Sequence, residues 1–365
     1  MQGKEDRRIQ EMTTSRPRVL LACDQRVRHK YLPPAAVERL EDFADWDWFE
    51  CEGGGIYTVS DDKEAAAQLA KRVGEVDGMV VCHGSPRIDG TIMDKAPRLK
   101  FIGELEGDRF ATRIDLDAAW ERGIRSVDVT NGSSYPVAEW ALALILIAMR
   151  NGGAQFRNLI EGNAGRDKEI RGTMPGILTG KRVGLIGGGH MGRRLIKLLR
   201  PFDVEIWVHD PYLPREIAEA LGFLQTSLDN VLQQCDVIVC VAPLTPATKG
   251  MIGPRQIEMI PPGRALVNVS RGAIIDSAAL IDRLKRGDLT AGLDVFDPEP
   301  IPPDSEILKL PNVFLTPHSS AITGDDYPHF FGLMVDELDR FFNGHETYFD
   351  LTARSKANRT GSQSG

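Results

Sequence analysis

Three side chains in the second half of the chain have the types needed to polarise and protonate a carbonyl group. His318, Arg271 and Glu299 each follow a stretch of apolar residues that is typical of a β-strand. An imidazole gains or loses a proton near neutral pH, and a neighbouring carboxylate orients it and favours its protonated form. A guanidinium binds a carboxylate through two parallel hydrogen bonds, which a lysine cannot do. Together they predict a site where negative charge develops on a carbonyl oxygen.

A glycine-rich loop follows the apolar run Arg182–Ile186 and precedes a helical pattern. Its sequence, Gly-Gly-Gly-His-Met-Gly, fits the dinucleotide-binding pattern G-x-G-x-x-G. The first glycine of the pattern permits a tight turn, the second lets a pyrophosphate approach the backbone, and the third lets the helix pack on the strand. The helix end also attracts phosphate through its N–H groups. The predicted cofactor contacts of this loop are Gly187, Gly189, His190, Met191 and Gly192.

Asp210 ends the next predicted strand, VEIWVHD. A carboxylate at this position accepts hydrogen bonds from both ribose hydroxyls and repels a 2′-phosphate. The following residues, Pro211 and Tyr212, offer no cation for that phosphate. Arg193 and Arg194 are alternative phosphate ligands, but we interpret them as a solvated helix face. The predicted cofactor is therefore NAD.

These residues need a fold that brings strand ends together, and the sequence alternates strand-like and helix-like segments. Runs such as VLLAC, GMVVC and RVGLI are separated by amphipathic stretches. This order predicts an α/β fold with parallel sheets and crossover helices, whose ligands bind at the carboxyl ends of the strands. The Gly-rich, charged segment from Asn151 to Gly180 is interpreted as a connector. A last helix, Asp325 to Phe342, is predicted to return to the first domain.

The bulk composition argues against several classes of protein. The 365-residue chain has a formal net charge of −8, whereas nucleic-acid binding needs a clustered positive face. Its 5 cysteines form no C-x-x-C pair, so we expect buried reduced thiols, no metal site and a cytoplasmic location. The charged N-terminus lacks the apolar stretch of a signal peptide, and the longest apolar run, Trp140 to Met149, is too short to cross a bilayer. No nucleic acid or membrane partner is expected.

Several segments together resemble the signatures of the D-isomer-specific 2-hydroxyacid dehydrogenase family. They are Val-Ala-Glu at 137–139, Pro-Leu-Thr-Pro-Ala-Thr at 243–248, Asn-Val-Ser-Arg-Gly at 268–272, Leu-Asp-Val-Phe-Asp-Pro-Glu-Pro at 293–300 and Thr-Pro-His at 316–318. The resemblance spans roughly residues 18 to 345. It implies NAD-dependent hydride transfer at C2 of a small 2-hydroxy or 2-keto acid. By the same resemblance, Arg271 binds the substrate, His318 is the general acid and base, and Glu299 hydrogen-bonds to that histidine.

The resemblance also implies further cofactor contacts. Those expected over the adenosine half are Ala242, Pro243 and Thr248. Those expected near the nicotinamide are Val269, Ser270 and Asp294. The residues after His318, Ser319 and Ser320, replace the usual aliphatic residue, which leaves the contact with the nicotinamide carboxamide open.

The domain organisation follows from the same resemblance. Residues 17–130 plus 320–350 are expected to form a substrate-binding lid domain, and the NAD-binding Rossmann domain, 131–319, is inserted into it. Hinges are expected near Asn131 and His318. Residues 1–16 and 352–365 are predicted to be disordered tails. The helix from Val137 is expected to form a homodimer interface.

The lid domain departs from the family pattern. A small Gly/Ser-rich loop usually holds the substrate carboxylate, but this chain has Gly-Glu-Leu-Glu-Gly-Asp-Arg at 103–109. These acids discourage a second carboxylate and suit a cationic or hydroxyl-rich tail; alternatively, they pair with Arg109, Arg113 or a partner subunit. The Cys-His-Gly-Ser loop at 82–85 keeps small residues whose amides can grip a carboxylate, although local hydrogen bonding of its histidine is an equal alternative. The candidate substrate contacts are His83, Gly84, Ser85, Glu106 and Gly107.

Other functions remain open at this point. A non-catalytic NAD-sensing scaffold, like the C-terminal-binding-protein corepressors, shares this fold and the catalytic residues, but the sequence has no evident peptide-docking groove. Formate dehydrogenase is a nearer alternative that needs a different set of polar residues. Each catalytic candidate taken alone also has a structural interpretation, as a hydrogen-bonded histidine, a paired arginine or an exposed loop acid.

Overall fold

Strands and helices alternate along most of the chain. The computed structural model describes residues 16–55, 58–107, 113–163, 173–323 and 329–360. Its strands are β1 Arg18–Cys23, β2 Asp45–Glu50, β3 Gly78–Val81, β4 Phe101–Glu104, β5 Arg125–Asp128, β6 Arg182–Ile186, β7 Glu205–His209, β8 Leu224–Gln225, β9 Val237–Cys240, β10 Arg264–Asn268, β11 Leu289–Leu293 and β12 Val313–Leu315. Its α-helices are α1 Gln25–Lys30, α2 Pro34–Phe43, α3 Lys63–Arg72, α4 Gly90–Met93, α5 Leu116–Glu121, α6 Ser134–Met149, α7 Gly152–Ile160, α8 His190–Leu199, α9 Arg215–Leu221, α10 Leu228–Gln234, α11 Pro254–Glu258, α12 Ser277–Lys285, α13 Phe330–Phe342 and α14 Ala353–Thr360.

The chain divides into two compact units. Unit 1 comprises Met1–Ser133 and Gly324–Lys356, and unit 2 comprises Ser134–Thr323 and Ala357–Gly365. The domain boundaries predicted from the sequence lie slightly earlier in the chain, at 130/131 and 319/320. Each unit has its own parallel sheet, and unit 2 is inserted into the sequence of unit 1. The predicted α/β fold class, with one parallel-sheet domain inserted into another, is confirmed.

The sheet of unit 1 has the strand order β2-β1-β3-β4-β5, and all of its neighbouring strands are parallel. Met79 and Val81 of β3 face one apolar layer, whereas Val80 and the following Cys82 face the other. This period of two explains the continuous apolar sequence of β3, because a parallel sheet is buried on both faces. The strand order reverses between β1 and β3, which opens a crevice at the carboxyl ends of those strands.

The sheet of unit 2 has the strand order β12-β11-β10-β9-β6-β7-β8 and is also parallel throughout. In β9, Val237 and Val239 face the layer that contains α6 and α8, and Ile238 and Cys240 face the opposite layer. The order reverses between β6 and β9. The ends of β10, β11 and β12 lie side by side, because Asn268 pairs with Leu293 and Leu293 pairs with Leu315.

The segment Thr130–Met149 is long and apolar enough to cross a membrane by length and composition. In this structure, however, Ala138, Ala141 and Leu144 of α6 are fully buried in the core of unit 2. A Cβ placed on Gly292 would lie 3.0 Å from the Cβ of Leu144, so α6 packs directly on β11. We therefore interpret α6 as a core helix, whose apolar sequence follows from burial in its own unit.

Strand β2, with the sequence DWDWFE, was missed by the sequence analysis. It is an edge strand that pairs only with β1 in the described sheet. Of its side chains, Phe49 is buried, whereas Trp46 and Trp48 are half-buried under the guanidinium of Arg28. Alternating acids and aromatic residues suit a strand with one solvated face, but they do not form the continuous apolar run by which the other strands were recognised.

Two predictions of irregular structure were wrong. The predicted connector 151–180 contains helix α7, whose first residues are two glycines that disfavour a helix by propensity. Gly153 is needed there, because a Cβ would lie 3.0 Å from the carbonyl oxygen of Val313. The predicted C-terminal tail contains α14, which begins where Thr352 and Ser355 exchange hydrogen bonds between side chain and backbone. Residues 1–15, 325–328 and 361–365 of the other predicted segments lie outside the described residues.

All cysteines are free and buried, as predicted. Burial raises the pKa of the Cys51, Cys235 and Cys240 thiols to about 12. A thiol that stays protonated at neutral pH is a poor nucleophile and a poor metal ligand. These cysteines therefore act as small apolar core residues. Within the described residues, moreover, no cluster of three or more His, Cys, Asp or Glu side chains is suited to hold a metal ion.

A fully buried ion pair fixes the loop after β4 in unit 1. Arg113 donates a hydrogen bond of 2.9 Å to Glu104, and neither side chain has exposed surface. The same Nη1 atom donates to the carbonyl oxygen of Glu106 at 3.1 Å, while Nη2 donates to that of Gly55. Arg113 therefore joins two loops, and the acids of the 103–109 segment are partly paired, as one of the alternatives proposed. Asp108 and Arg109 lie outside the described residues.

Replacing Arg113 with methionine should destabilise the protein strongly, because Glu104 would be left buried without its cation. We expect a loss of about 3–5 kcal/mol in the free energy of unfolding, measured by urea denaturation. Arg39→Met is the matched control, since Arg39 pairs with Asp336 at the surface and should contribute less than about 1 kcal/mol. Equal losses in the two variants would contradict the structural role given to Arg113.

Candidate active site

The end of β12 and the loop after β11 bring an imidazole and a carboxylate together. The Nδ1 atom of His318 lies 3.0 Å from Oε2 of Glu299, and about a third of each side chain is exposed. An ionised carboxylate only accepts hydrogen bonds, so the matching tautomer carries its proton on Nδ1. The Nε2 atom is then left to take or give a proton. The structure thus places two of the three predicted catalytic residues in direct contact.

Asp294 anchors the loop that carries His318. Its carboxylate is fully buried and accepts hydrogen bonds from the Thr316 hydroxyl at 2.5 Å and from the amides of Ser319 and Ser320 at 2.9 and 3.1 Å. The amide of His318 donates to the Asp294 carbonyl oxygen at 2.8 Å. The family resemblance implies that Asp294 lies near the nicotinamide. Its hydrogen bonds to the His318 loop could not be predicted, because nothing in the sequence shows which groups a carboxylate accepts from.

Arg271 follows β10, the strand next to β11, in a loop fixed by Asn268. The Asn268 side chain accepts from the Ser270 amide at 3.0 Å and donates to the Arg271 carbonyl oxygen at 3.1 Å. Gly272 allows this loop to touch the next one, because a Cβ there would lie 1.9 Å from the carbonyl group of Phe296. The guanidinium of Arg271 is half-buried and donates to the Ser270 carbonyl oxygen at 2.7 Å. Arg271 and His318 therefore follow β10 and β12, the two strands on either side of β11.

The glycine loop lies at the point where the strand order reverses in unit 2. Gly187 has φ of 109°, and a Cβ on it would lie 2.8 Å from the Ala242 amide at the end of β9. A Cβ on Gly192 would lie 2.5 Å from the Gly187 carbonyl oxygen. By contrast, a Cβ on Gly189 would meet no atom within 4 Å. The protein's own packing thus requires the first and third glycines, while the second borders open space at the helix N-terminus, where a pyrophosphate fits.

Asp210 is already oriented at the end of β7. One carboxylate oxygen accepts from the Gly188 amide at 2.8 Å, and the other accepts from the Tyr212 amide at 2.9 Å. The side chain is half-buried, so its remaining lone pairs stay accessible. These contacts hold a negative charge beside the glycine loop, which fits a ribose with two hydroxyls better than a 2′-phosphate.

The other predicted cofactor residues surround the same strand ends. His190 and Met191 are half-buried in the first turn of α8. The loop after β9 is closed by Thr248, whose hydroxyl donates to the Pro243 carbonyl oxygen at 2.6 Å. Ser270 is buried and donates its hydroxyl to the Ala242 carbonyl oxygen. The remaining member of this group, Val269, is buried as well.

Two predicted substrate residues of unit 1, His83 and Glu106, lie in one polar cluster with Tyr31. Glu106 accepts a hydrogen bond of 2.5 Å from the Tyr31 hydroxyl and lies 3.1 Å from Nε2 of His83. The Gly107 amide donates to the Thr130 hydroxyl at 3.0 Å. Tyr31 was missed by the sequence analysis, since it lies far from Glu106 along the chain and on no recognised motif.

The turn after β3 uses most of its polar groups internally. The Ser85 hydroxyl donates to the Pro86 carbonyl oxygen and the Ser85 amide to that of Cys82, both at 3.0 Å. Gly84 has φ of 87°, and a Cβ on it would lie 2.4 Å from the Cys51 carbonyl oxygen. Both residues are therefore needed to form the turn, and Ser85 is fully buried.

Comparison with known proteins places these observations in a family. Residues 142–320 match the family model for the D-isomer specific 2-hydroxyacid dehydrogenase, NAD binding domain. A mitochondrial formate dehydrogenase from Hordeum vulgare is 33% identical over 312 residues, which cover 82% of this chain and 80% of that protein. The chain belongs to the D-isomer-specific 2-hydroxyacid dehydrogenase family. Members of this family are NAD-dependent oxidoreductases, and the prediction of NAD as cofactor is confirmed.

Other members of the family differ in how much of their own length matches this chain. A D-3-phosphoglycerate dehydrogenase from Methanocaldococcus jannaschii is 34% identical over 279 residues, 76% of this chain and 52% of that protein. The chain thus spans about half the length of the phosphoglycerate dehydrogenases that it matches. The solved structure of a phosphoglycerate oxidoreductase from Rhizobium etli aligns with a TM-score of 0.78 over 93% of this chain and 100% of that one. At 22% identity, this likeness shows the fold alone.

The glycine loop allows a test that separates cofactor binding from folding. Gly189→Ala adds a methyl group in open space, so we expect the free energy of unfolding to change by less than about 1 kcal/mol. The same methyl group should weaken NADH binding about tenfold or more, because it occupies the approach of the pyrophosphate.

Gly192→Ala is the matched control, since its methyl group meets the Gly187 carbonyl oxygen. It should destabilise the protein itself by about 1–3 kcal/mol. Urea denaturation without cofactor and NADH fluorescence titration measure the two effects. Wild-type NADH affinity in the Gly189 variant would show that the pyrophosphate lies elsewhere.

Proposed function

We propose that this chain is an NAD-dependent dehydrogenase that interconverts a small 2-keto acid and the corresponding D-2-hydroxy acid. The observation that carries the proposal is the contact between His318 and Glu299, at strand ends of the same sheet that presents the glycine loop. Such a pair supplies what reduction of a ketone needs from the protein, namely a proton for the oxygen that becomes a hydroxyl. The bound nicotinamide supplies or receives the hydride.

His318 is the proposed general acid and base. Glu299 accepts from Nδ1, which directs Nε2 toward the substrate oxygen and stabilises the imidazolium form. In reduction, the protonated ring donates from Nε2 to the developing alkoxide. In oxidation, the neutral ring accepts the hydroxyl proton at the same atom. Asp294 acts as a positioning residue, because it fixes the loop residues on both sides of His318.

Arg271 is the proposed substrate anchor. Its guanidinium forms two parallel hydrogen bonds to a carboxylate and stabilises negative charge on the neighbouring carbonyl oxygen. The Asn268 side chain and Gly272 hold the loop that presents it. A 2-keto acid has both acceptors on adjacent carbons, which matches a single planar donor group.

The residues that hold NAD are proposed from their places around the crevice of unit 2. The glycine loop with His190 and Met191 holds the pyrophosphate, and Asp210 accepts from the adenosine ribose. Ala242, Pro243 and Thr248 line the adenosine half. Val269 and Ser270 lie on the nicotinamide side, next to the loop that Asp294 supports.

Unit 1 is the proposed source of the remaining substrate contacts, from His83, Gly84, Glu106 and Gly107. Ser85 belongs to the same turn and stabilises it, because its hydroxyl donates to the Pro86 carbonyl oxygen. A homodimer through α6 is also proposed, because Tyr135 and Leu146 of that helix are exposed apolar side chains. Cytoplasmic location stays a prediction.

Formate oxidation is the second candidate, since this chain matches most of the length of the formate dehydrogenase relatives. Oxidation of formate to carbon dioxide releases no hydroxyl proton at the reacting carbon, so an imidazole–carboxylate pair has no proton to move. The contact between His318 and Glu299 therefore favours a 2-hydroxy acid. No described feature favours the corepressor-type scaffold, which would bind NADH without turnover.

The proposal is tested by the consumption of NADH with glyoxylate, hydroxypyruvate and pyruvate, and by NADH formation from formate. His318→Ala should lower kcat by about two orders of magnitude or more with little change in NADH affinity, because it removes the proton donor. Glu299→Gln should give a smaller loss, whereas Arg271→Ala should mainly raise KM for the keto acid.

His345→Ala is the matched control, because His345 is an exposed imidazole outside the site, and its variant should keep full activity. Full turnover in the His318 variant would show that another group transfers the proton. Turnover of formate alone would replace the proposed function by the second candidate.

The preference for NAD over NADP is proposed to depend on the charge of Asp210. Asp210→Asn keeps an oxygen for the Gly188 amide but removes the charge that repels a 2′-phosphate. The ratio of kcat/KM with NADH to that with NADPH should therefore fall about tenfold or more. Asp203→Asn, which removes an exposed charge from the turn before β7, should leave the ratio unchanged. An unchanged ratio in the Asp210 variant would mean that shape, not charge, selects the cofactor.

A further inference from the structure

Helix α6 contacts the His318 loop, residues 316–320, through the polar group of Trp140. The indole Nε1 of Trp140 donates a hydrogen bond of 3.2 Å to the Thr316 hydroxyl oxygen. That hydroxyl in turn donates to Oδ1 of Asp294 at 2.5 Å. All of these residues belong to unit 2. A chain of hydrogen bonds therefore runs from the helix to the carboxylate that holds the loop of the proposed acid and base.

The chemistry of the three groups fixes the direction of both hydrogen bonds. An indole N–H only donates, and an ionised carboxylate only accepts. The Thr316 hydroxyl has a single proton, so it accepts from Trp140 and gives that proton to Asp294. Because hydrogen bonds in a chain polarise one another, the indole also strengthens the bond between Thr316 and Asp294. Trp140 therefore orients the hydroxyl on which the loop depends.

Trp140 is itself held by the core of unit 2. Its ring is half-buried and packs against the apolar layer that also contacts Phe314 of β12 and Ala321, just after the loop. Four residues further along α6, Leu144 is fully buried, and its Cβ lies 3.0 Å from the position of a Cβ on Gly292 of β11. Side chains four residues apart share one face of a helix, so Trp140 lies on the face of α6 that packs on the sheet. The indole is thus a fixed donor.

The His318 loop needs this support because its backbone conformation is unfavourable. His318 has φ of 52°, in the left-handed region. The amides of Ser319 and Ser320 are held by the same Asp294 carboxylate, at 2.9 and 3.1 Å. Rotation of that carboxylate would release the residues on both sides of the imidazole. Since proton transfer requires the imidazole within hydrogen-bond reach of the reacting oxygen, a small displacement lowers its rate.

We propose that Trp140 is a positioning residue for His318, acting through Thr316 and Asp294. It holds the imidazole in the conformation that transfers the proton, so it contributes to the chemical step. Arg271 and the glycine loop are held by other contacts, and the binding of keto acid and NADH therefore depends little on Trp140. This inference rests on the proposed dehydrogenase function, in which His318 transfers the proton.

Trp140→Phe tests this role, because it keeps an aromatic ring in the core but removes the donor. With NADH and whichever of glyoxylate, hydroxypyruvate and pyruvate the wild type reduces best, kcat should fall about three- to tenfold. KM for that acid and the dissociation constant of NADH should change less than about twofold. Trp207→Phe is the matched control, since its indole donates to Glu205 at the amino end of β7. This control should keep the wild-type kcat.

Combined variants test whether Trp140 acts through Thr316. Thr316→Val keeps the shape of the side chain but removes the hydroxyl that both hydrogen bonds use. In that background, Trp140→Phe should lower kcat by no more than about twofold further. Thr316→Ser retains a hydroxyl, and in that background Trp140→Phe should again lower kcat about three- to tenfold. A full loss from Trp140→Phe in the valine background would show that Trp140 acts by another route, and the inference would be overturned.

Hydrogen exchange measured by mass spectrometry gives a second readout, which needs no turnover. In Trp140→Phe, the peptide that contains the Ser319 and Ser320 amides should exchange about threefold faster or more, because their acceptor is less firmly held. The amides of β10, Arg264–Asn268, should keep their exchange rate. Equal acceleration in both segments would indicate general destabilisation and would contradict a positioning role.

The outcomes separate the inference from the function on which it rests. An unchanged kcat in Trp140→Phe, or a raised KM alone, would overturn the inference and leave the dehydrogenase in place. If the wild-type protein binds NADH but reduces no 2-keto acid, the proposed function fails. The exchange measurement then still decides whether Trp140 positions the His318 loop, since unchanged exchange in Trp140→Phe would exclude it.

Discussion

Both oxygens of the buried Asp294 carboxylate accept hydrogen bonds from the loop after β12. These bonds reach Thr316 on one side of His318 and Ser319 and Ser320 on the other. His318 itself has φ of 52°, a left-handed conformation that costs about 1–2 kcal/mol outside glycine. Hydrogen bonds to a charged acceptor contribute about 1.5–3 kcal/mol each, so three of them outweigh that strain. The position of His318, the proposed acid and base, thus depends on the buried Asp294 carboxylate.

Close backbone contacts explain why glycines are required at several positions around the site of unit 2. Gly187 and Gly272 each sit where a Cβ would meet the backbone of another loop, and a Cβ on Gly192 would meet the Gly187 carbonyl oxygen, so the protein needs all three with or without a ligand. Gly189 has no such neighbour. A pattern such as G-x-G-x-x-G therefore combines two constraints, close packing and close approach of a ligand, and only the structure separates them.

The sequence predicted those features that depend on local pattern. Continuous apolar runs predicted most strands of both sheets, and motif positions at strand ends placed Glu299 and His318 on adjacent loops. It failed where a contact between distant residues decides the outcome. Helix α7 begins with two glycines that propensity disfavours, and Gly153 is there because β12 packs against it. Tyr31 joins Glu106 only through the fold of the sheet, and no spacing rule connects them.

The acidic loop of unit 1 shows that two neighbouring acids of one loop can have different surroundings. Counted along the sequence, Glu104 and Glu106 look equivalent. In the fold, Glu104 is fully buried and spends its charge on Arg113, whereas Glu106 keeps an accessible oxygen beside a neutral phenol. A charge that is paired inside the protein has little effect on a ligand, while a fixed and partly exposed one repels an anion strongly, since neighbouring low-dielectric groups screen it less than water does. Which of the two acids the arginine pairs with is therefore decided by packing, and their spacing along the sequence does not show it.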